Sequence, residues 1–311
     1  MKFQSGFISI IGMPNVGKST LLNRLAGEKI AIVSPKPQTT RNTIRMIVTE
    51  DAYQAIFLDT PGWHEPTTKL DEYMLHAAKQ AAQDTDLILY MIDAEKHAGK
   101  MHLYEENRKI LTQILRAFEK GAQKAKLLLV INKVDAVQKE KILELIQLYT
   151  QTTEFDAVIP ISAITGDGLD ILKDEIHKRL PEGPKYFPDD TLTDQPERVI
   201  VSEIIREKML RLMEQEVPHG VGVEVTSFKQ RKTSAGQDIV DVQATIYCNK
   251  ESHKAIIIGK NGAMLKRIGM HARTDSERFL GVKVFLQMHV KVKTSWQNNA
   301  YMLRQLGYDD K

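Results

Sequence analysis

One cysteine, two tryptophans and the lack of any long apolar run set the first limits on this 311-residue chain. Cys248 has no partner for an internal disulfide and lies in an alternating, strand-like run, so it reads as a buried, unreactive thiol. No cysteine/histidine cluster has zinc spacing, and no structural metal is expected. The longest apolar runs, Leu87–Ile92 and Lys126–Ile131, fall far short of the ~18 residues of a membrane span. The opening Met1-Lys-Phe-Gln-Ser-Gly lacks the apolar centre of a signal peptide, so the expected address is the cytosol. There is no repeat and no low-complexity tract. What is present, 42% hydrophobic and 27% charged residues, is the composition of a soluble globular protein, and the length suits about two domains.

Net charge is +3, but it is unevenly spread. Residues 1–197 carry 24 basic and 28 acidic side chains, whereas residues 198–311 carry 19 and 12. A basic C-terminal third beside an acidic remainder suits an anionic partner such as nucleic acid or a membrane surface.

From residue 3 to 180, short apolar runs alternate with amphipathic stretches: strands at Gly6–Ile11, Thr43–Thr49, Tyr53–Leu58, Leu87–Ile92, Lys126–Ile131 and Val158–Ile161, and helices at Lys18–Ala26, Asp71–Gln83, His102–Phe118, Lys139–Thr150 and Leu169–Leu180. Repeated βα predicts an α/β domain with a mostly parallel sheet covered on both faces. The proline-rich run after Leu180 reads as a linker over 181–197. Residues 198–311 change character. A helix at Val199–Glu216, a hairpin of Gly222–Phe228 and Ile239–Tyr247, helices at Ser252–Ile258 and Ala263–Phe279, a strand at Val282–Val290 and a closing helix at Asn299–Leu306 predict an α+β domain.

Gly12-Met-Pro-Asn-Val-Gly-Lys-Ser19 follows the first strand and opens a helix, the setting that a phosphate-binding loop requires. Backbone N–H groups and the helix N-terminus would cradle phosphate, Lys18 would reach its outer oxygens and Ser19 would ligate Mg2+; Gly12, Asn15, Val16, Gly17 and Thr20 complete the set. Asn132-Lys133-Val134-Asp135, after another apolar strand, names the base, because a carboxylate accepts both N1–H and N2–H of guanine. Such a site rejects a mismatched base by roughly 10⁴–10⁵-fold. Asp59-Thr-Pro-Gly62 ends the third strand, with Asp59 placed to hold Mg2+ and the Gly62 N–H to sense a γ-phosphate. Ser34–Arg41 has the position of a loop that folds over the metal; either Thr39 or Thr40 would be the ligand, Thr40 being preferred. Ser162 and Ala163 are placed to back the guanine ring through main-chain N–H groups.

In this order these motifs resemble the five GTP-binding elements of the TRAFAC-class bacterial GTPases, and Ile257-Ile258-Gly259-Lys260-Asn261-Gly262 with Lys266 and Arg267 resembles the RNA clamp of a type II KH domain. A KH loop holds about four nucleotides of single-stranded RNA. The pairing of the two modules over essentially the whole chain is similar to the Era-like GTPases. That resemblance implies a monomeric enzyme converting GTP and water to GDP and phosphate, with Lys18, Thr40 and Gly62 at the reaction. It also implies binding to the 3′ end of 16S rRNA and the small ribosomal subunit during its maturation, and a peripheral contact with the inner face of the cytoplasmic membrane. Trp63 stands where Ras-like enzymes carry a water-orienting glutamine, and Asn15 matches relatives that hold a K+ ion against the phosphates. His64 reads as a surface histidine, Arg41 and Arg45 equally well as fingers acting in cis or as strand-edge charges, and Met209, Met213, Met264 and Met270 as packing residues.

Overall fold

The computed structural model describes residues 2–34, 36, 39–61, 66–83, 85–97, 100–118, 125–213, 217 and 220–308. The chain forms two compact units, one of residues 1–31, 40–65 and 74–194, the other of residues 32–39, 66–73 and 195–311.

The first unit runs β1 (Gln4–Ile11), α1 (Lys18–Ala26), β2 (Ile44–Thr49), β3 (Tyr53–Asp59), α2 (Lys69–Gln83, of which the part from Met74 belongs to this unit), β4 (Leu87–Asp93), α3 (Ala94–His97), α4 (Met101–Phe118), β5 (Lys126–Asn132), α5 (Lys139–Thr150), β6 (Ala157–Pro160) and α6 (Leu169–His177). Its six strands lie in the order β2-β3-β1-β4-β5-β6, parallel except for β2 against β3. Every residue of β3 and β4 is buried, which is why β4 before Asp93, and β3 apart from Gln54 and Asp59, read as apolar runs rather than as alternation. The chain leaves β1 through α1 toward β3 on one side and then crosses from β3 through α2 to β4 on the other, and the crevice at the carboxyl ends of these strands is where such sheets bind ligands. Register sets Ile10 beside Asp59 and Asp93 beside Asn132, so the residues that follow β1, β3, β4 and β5 meet at that edge.

Residues 181–194, read above as linker, are packed chain within this unit. Ile47 N–H donates to the Leu192 carbonyl at 2.9 Å, Ser5 Oγ to that of Pro184 at 2.7 Å, and Gln54 Oε1 accepts from the N–H groups of Tyr186 and Phe187. Prolines remove helix and sheet donors here, and side chains of β1 and β3 satisfy the backbone instead.

The second unit contains α7 (Glu197–Leu212), β7 (Gly222–Lys232), β8 (Asp238–Cys248), α8 (Glu251–Ile258), α9 (Ala263–Leu280), β9 (Lys283–Val292) and α10 (Ala300–Gln305). Its sheet is β7-β8-β9, antiparallel across the hairpin and parallel between β8 and β9. Trp296 is fully buried and donates from its indole nitrogen to the Gly220 carbonyl at 2.9 Å. Cys248 is likewise buried, and burial pushes its thiol pKa up.

The helix α7 differs from a one-sided amphipathic helix. Glu203, Arg206, Glu207 and Lys208 are buried along with its apolar residues. Part of the reason is the segment 32–39, which belongs to this unit and whose described residues 32–34, 36 and 39 lie outside helix and strand. Their backbone groups need partners: Val33 N–H donates to Glu207 Oε1 at 3.1 Å, Arg211 Nε donates to the Val33 carbonyl at 3.0 Å, and Arg206 donates to the Thr39 carbonyl. Glu203 pairs with Arg206, and Lys208 with Glu207 and Asp275.

Candidate nucleotide site and RNA-binding turn

The loop after β1 is shaped by two glycines for steric reasons. A Cβ on Gly12 would lie 2.3 Å from the Met91 carbonyl oxygen, and Gly17 has a φ of +105° with its missing Cβ 2.3 Å from Asn132 Nδ2. No side chain caps the N-terminus of α1, so its first-turn N–H groups, Ser19 and Thr20 among them, are left for an anion. Lys18 folds over the loop and donates to the carbonyls of Gly12 at 2.9 Å and Met13 at 3.1 Å. Burial lowers its pKa to about 8, opposed by the charge of Asp59. An arriving phosphate would supply the counter-charge that this desolvated ammonium lacks.

Next to it three oxygens converge. Ser19 Oγ lies 3.1 Å from Thr40 Oγ1 and donates to Asp59 Oδ2 at 3.0 Å, and Thr40 Oγ1 donates to the same oxygen at 3.3 Å. Two hydroxyls and a carboxylate within this span are a hard-oxygen set that fits Mg2+. Of the two candidate threonines it is Thr40 that joins this cluster. The Thr39 hydroxyl is turned to the carbonyls of Lys36 and Ser34, at 2.6 and 3.3 Å. Gly62, Trp63 and His64 lie outside the described residues.

Asn132 organises the base end. It donates to the Val16 carbonyl at 2.8 Å and accepts from Ala163 N–H at 2.9 Å, tying three loops together. Lys133 has a φ of +66° and opens a short 3₁₀ turn that carries Asp135 into solvent. Ser162 N–H donates to the Asp167 carbonyl at 3.0 Å. The Ser162 and Ala163 N–H groups, expected to face the guanine ring, here donate to the Asp167 carbonyl and to Asn132 Oδ1. Asp93 was missed. It is fully buried and accepts from Lys133 Nζ at 2.6 Å, a partnership that only the register of β4 with β5 reveals. Arg41 is buried rather than a strand-edge charge.

In the second unit α8 ends at Gly259, with a φ of +72°, where an added Cβ would lie 2.8–2.9 Å from Cβ and N of Met264. Asn261 and Gly262 follow with φ of +53° and +76°, and α9 begins at Ala263. The turn exposes Lys260 and Asn261, with Ile258 half-buried behind them and Lys266 and Arg267 exposed on the next turns of helix. Beside it Leu265, Met270, Leu286 and Met288 floor a groove rimmed by Lys266 and Arg273. Close backbone approach, an apolar floor and a basic rim are what a single strand of nucleic acid needs.

Residues 7–133 match the family described as 50S ribosome-binding GTPase, and residues 216–297 match the KH domain. GTPase Era of Thermoanaerobacter sp. (strain X514) is 51% identical over 310 residues, covering 99% of this chain and 97% of that protein. The chain belongs to the Era GTPases. Era of Clostridioides difficile (strain 630) is 48% identical over 99% of this chain and all of its own length. Among solved structures, a tyrosine-to-alanine variant of Aquifex aeolicus Era bound to GDP and AlF4⁻ superposes with a TM-score of 0.90 at 37% identity, covering 99% of this chain and 100% of that one. An Era bound to MgGDPNP and nucleotides 1506–1542 of 16S rRNA gives 0.90 at 38% with the same coverage. The Era fold, a P-loop GTPase domain followed by a KH domain, is therefore the fold of this chain, and no helix among its described residues is long and apolar enough to cross a membrane.

Proposed function

We propose that this GTPase is a nucleotide-driven switch that binds the 3′ end of 16S rRNA through residues 258–267 and assists maturation of the small ribosomal subunit. The observation that carries it is the triangle of Ser19, Thr40 and Asp59 oxygens beside Lys18. It supplies what GTP hydrolysis requires of the protein, namely fixed donors and acceptors around the terminal phosphates. Ser19, Thr40 and Asp59 would hold Mg2+, which neutralises charge on the β- and γ-phosphates when bound. Lys18 turns from the Gly12 and Met13 carbonyls to the phosphate oxygens, and the α1 N–H groups meet the β-phosphate. Asp135 reads guanine, while Asn132 keeps the loops at their spacing. Asn15 would hold a K+ ion, whose charge would stand in for that of an arginine finger.

Rapid mixing with GTP, with and without an RNA of the 16S 3′ end, tests the enzyme. Crosslinking in cells with sequencing of the bound RNA tests the partner. Recovery of the 16S 3′ end is expected, and recovery of unrelated RNAs alone would overturn the assignment. The basic second unit is also the surface proposed for a peripheral contact of the monomer with the cytoplasmic membrane.

A further inference from the structure

A buried polar chain runs behind the nucleotide loops and extends the Asp93–Lys133 pair into the sheet and helices behind them. It starts at Asp93, whose carboxylate accepts from Lys96 N–H at 3.1 Å and from Lys133 Nζ at 2.6 Å. The Asp93 carbonyl lies 2.6 Å from His97 Nδ1. A carbonyl can only accept, so Nδ1 carries the proton. In the neutral ring Nε2 then offers a lone pair, and Asn107 Nδ2, 2.6 Å away, donates to it. The same amide nitrogen lies 3.0 Å from Met13 Sδ and 2.9 Å from the Leu103 carbonyl, while the Tyr90 hydroxyl sits 3.0 Å from Asn107 Oδ1. Every neighbour of Nδ2 is therefore an acceptor and Oδ1 faces a hydroxyl donor, which sets the orientation of the amide.

The two ends of this chain are Met13 of the phosphate loop and Lys133 of the guanine loop. Asp93, His97 and Asn107 are each buried, at 0%, 4% and 0% exposure. Buried polar groups cost stability unless fully paired, and an apolar side chain of similar volume would fill either the His97 or the Asn107 position without that cost. The arrangement is explained by what it joins.

We propose that His97 and Asn107 are positioning residues for the nucleotide: they seat Met13 in the phosphate loop and, through Asp93, hold the Lys133 ammonium in place, keeping the two loops in register. The inference rests on the reading of residues 12–19 and 132–135 as the GTP site. It also carries a pH dependence. Burial holds the His97 pKa below its ordinary value, against the opposing effect of Asp93 and Glu106 and with the help of Lys96. A protonated ring would turn Nε2–H onto the amide hydrogens of Asn107, and the chain would break at that contact.

The test measures dissociation constants of fluorescent GDP between pH 5.5 and 8 on full-length protein, with the thermal midpoint of each nucleotide-free variant alongside. His97→Phe and Asn107→Leu keep the volume and remove the chain. They are expected to weaken GDP about tenfold, the order seen when groups that orient a ligating side chain are lost, while the midpoint holds or rises. His97→Gln, whose amide can donate to Asp93 and accept from Asn107, is expected to restore affinity. Wild type should lose affinity below pH 6.5 more steeply than His97→Gln, since titration of the phosphate itself is common to both. Wild-type affinity in the Phe and Leu variants, or identical pH profiles for wild type and His97→Gln, would overturn the proposal. A lowered midpoint without loss of affinity would do the same, because that is the signature of packing alone. Asp135→Asn, measured in parallel, separates a failure here from a failure of the nucleotide-site reading: it changes base preference whether or not the His97 chain matters.

Discussion

The side-chain amide of Asn132 donates to the carbonyl of Val16 at 2.8 Å, across 116 residues of chain, and occupies the space that a side chain on Gly17 would need. The guanine loop and the phosphate loop are thus joined directly by this hydrogen bond, and the bond is possible because residue 17 is glycine. A second bond, from Ala163 N–H to Asn132 Oδ1, brings in the loop after β6.

Gly17→Ala should therefore damage both loops. A Cβ 2.3 Å from Asn132 Nδ2 forces that amide away, and a non-glycine residue at φ +105° adds strain of about 1–3 kcal/mol. Isothermal titration is expected to show GDP binding weakened by at least about tenfold, the equivalent of about 1.4 kcal/mol. Unchanged affinity would mean that the bond has no part in shaping the site.

Asp135→Asn should exchange guanine for xanthine. The amide can donate to the C2 carbonyl of xanthine, where the carboxylate accepted from the exocyclic amine of guanine. The exposed position of Asp135 leaves room for either base edge. Competition assays are expected to show GTP losing several kcal/mol of affinity and XTP gaining it. Wild-type preference for GTP in the mutant would remove Asp135 from base reading.

Hydrolysis should depend on potassium. Asn15 sits at a φ of +66° in the phosphate loop, a conformation that asparagine tolerates better than most residues. An ion held there would take over the stabilisation of developing charge that an arginine finger provides. Turnover in KCl is expected to exceed that in NaCl at matched ionic strength, and equal rates would exclude the role.

Replacing Lys260 and Asn261 together with aspartate should abolish RNA binding and leave GTP binding intact. Asn261 occupies a left-handed conformation, φ +53°, which aspartate also accepts, and Gly259, whose Cβ would strike Met264, is retained. The turn survives while its charge reverses toward the phosphate track. A filter-binding titration at physiological salt is the measurement; wild-type RNA affinity would remove the turn from the interface.

Arg206→Met should destabilise the second unit. The guanidinium is fully buried and donates to Glu203 at 2.9 and 2.5 Å, so its removal leaves a carboxylate buried without a counter-charge, a loss of about 3–5 kcal/mol. Combining it with Glu203→Gln should recover most of that loss. Differential scanning calorimetry distinguishes this from a surface charge, for which both substitutions would be near neutral and additive.

What local pattern settles is legible without coordinates. The phosphate loop, Asp59, the Asn132–Asp135 motif and the Gly259–Gly262 turn are contiguous, and each needs particular residue types at fixed spacing. The α1 and α5 helices fall at Lys18–Ala26 and Lys139–Thr150 as periodicity predicts. Asn107 left a faint trace, lying on the same helical stripe as Tyr104, Leu111 and Ile114, all buried. The rest was decided by tertiary structure. Which threonine meets Ser19, where residues 181–194 run, why α7 buries four charged residues, and how Asp93, His97 and Asn107 link Lys133 to Met13 all depend on side chains far apart in sequence. Sheet register and packing against irregular chain bring them together, and a one-dimensional pattern does not record which distant backbone groups will need a partner.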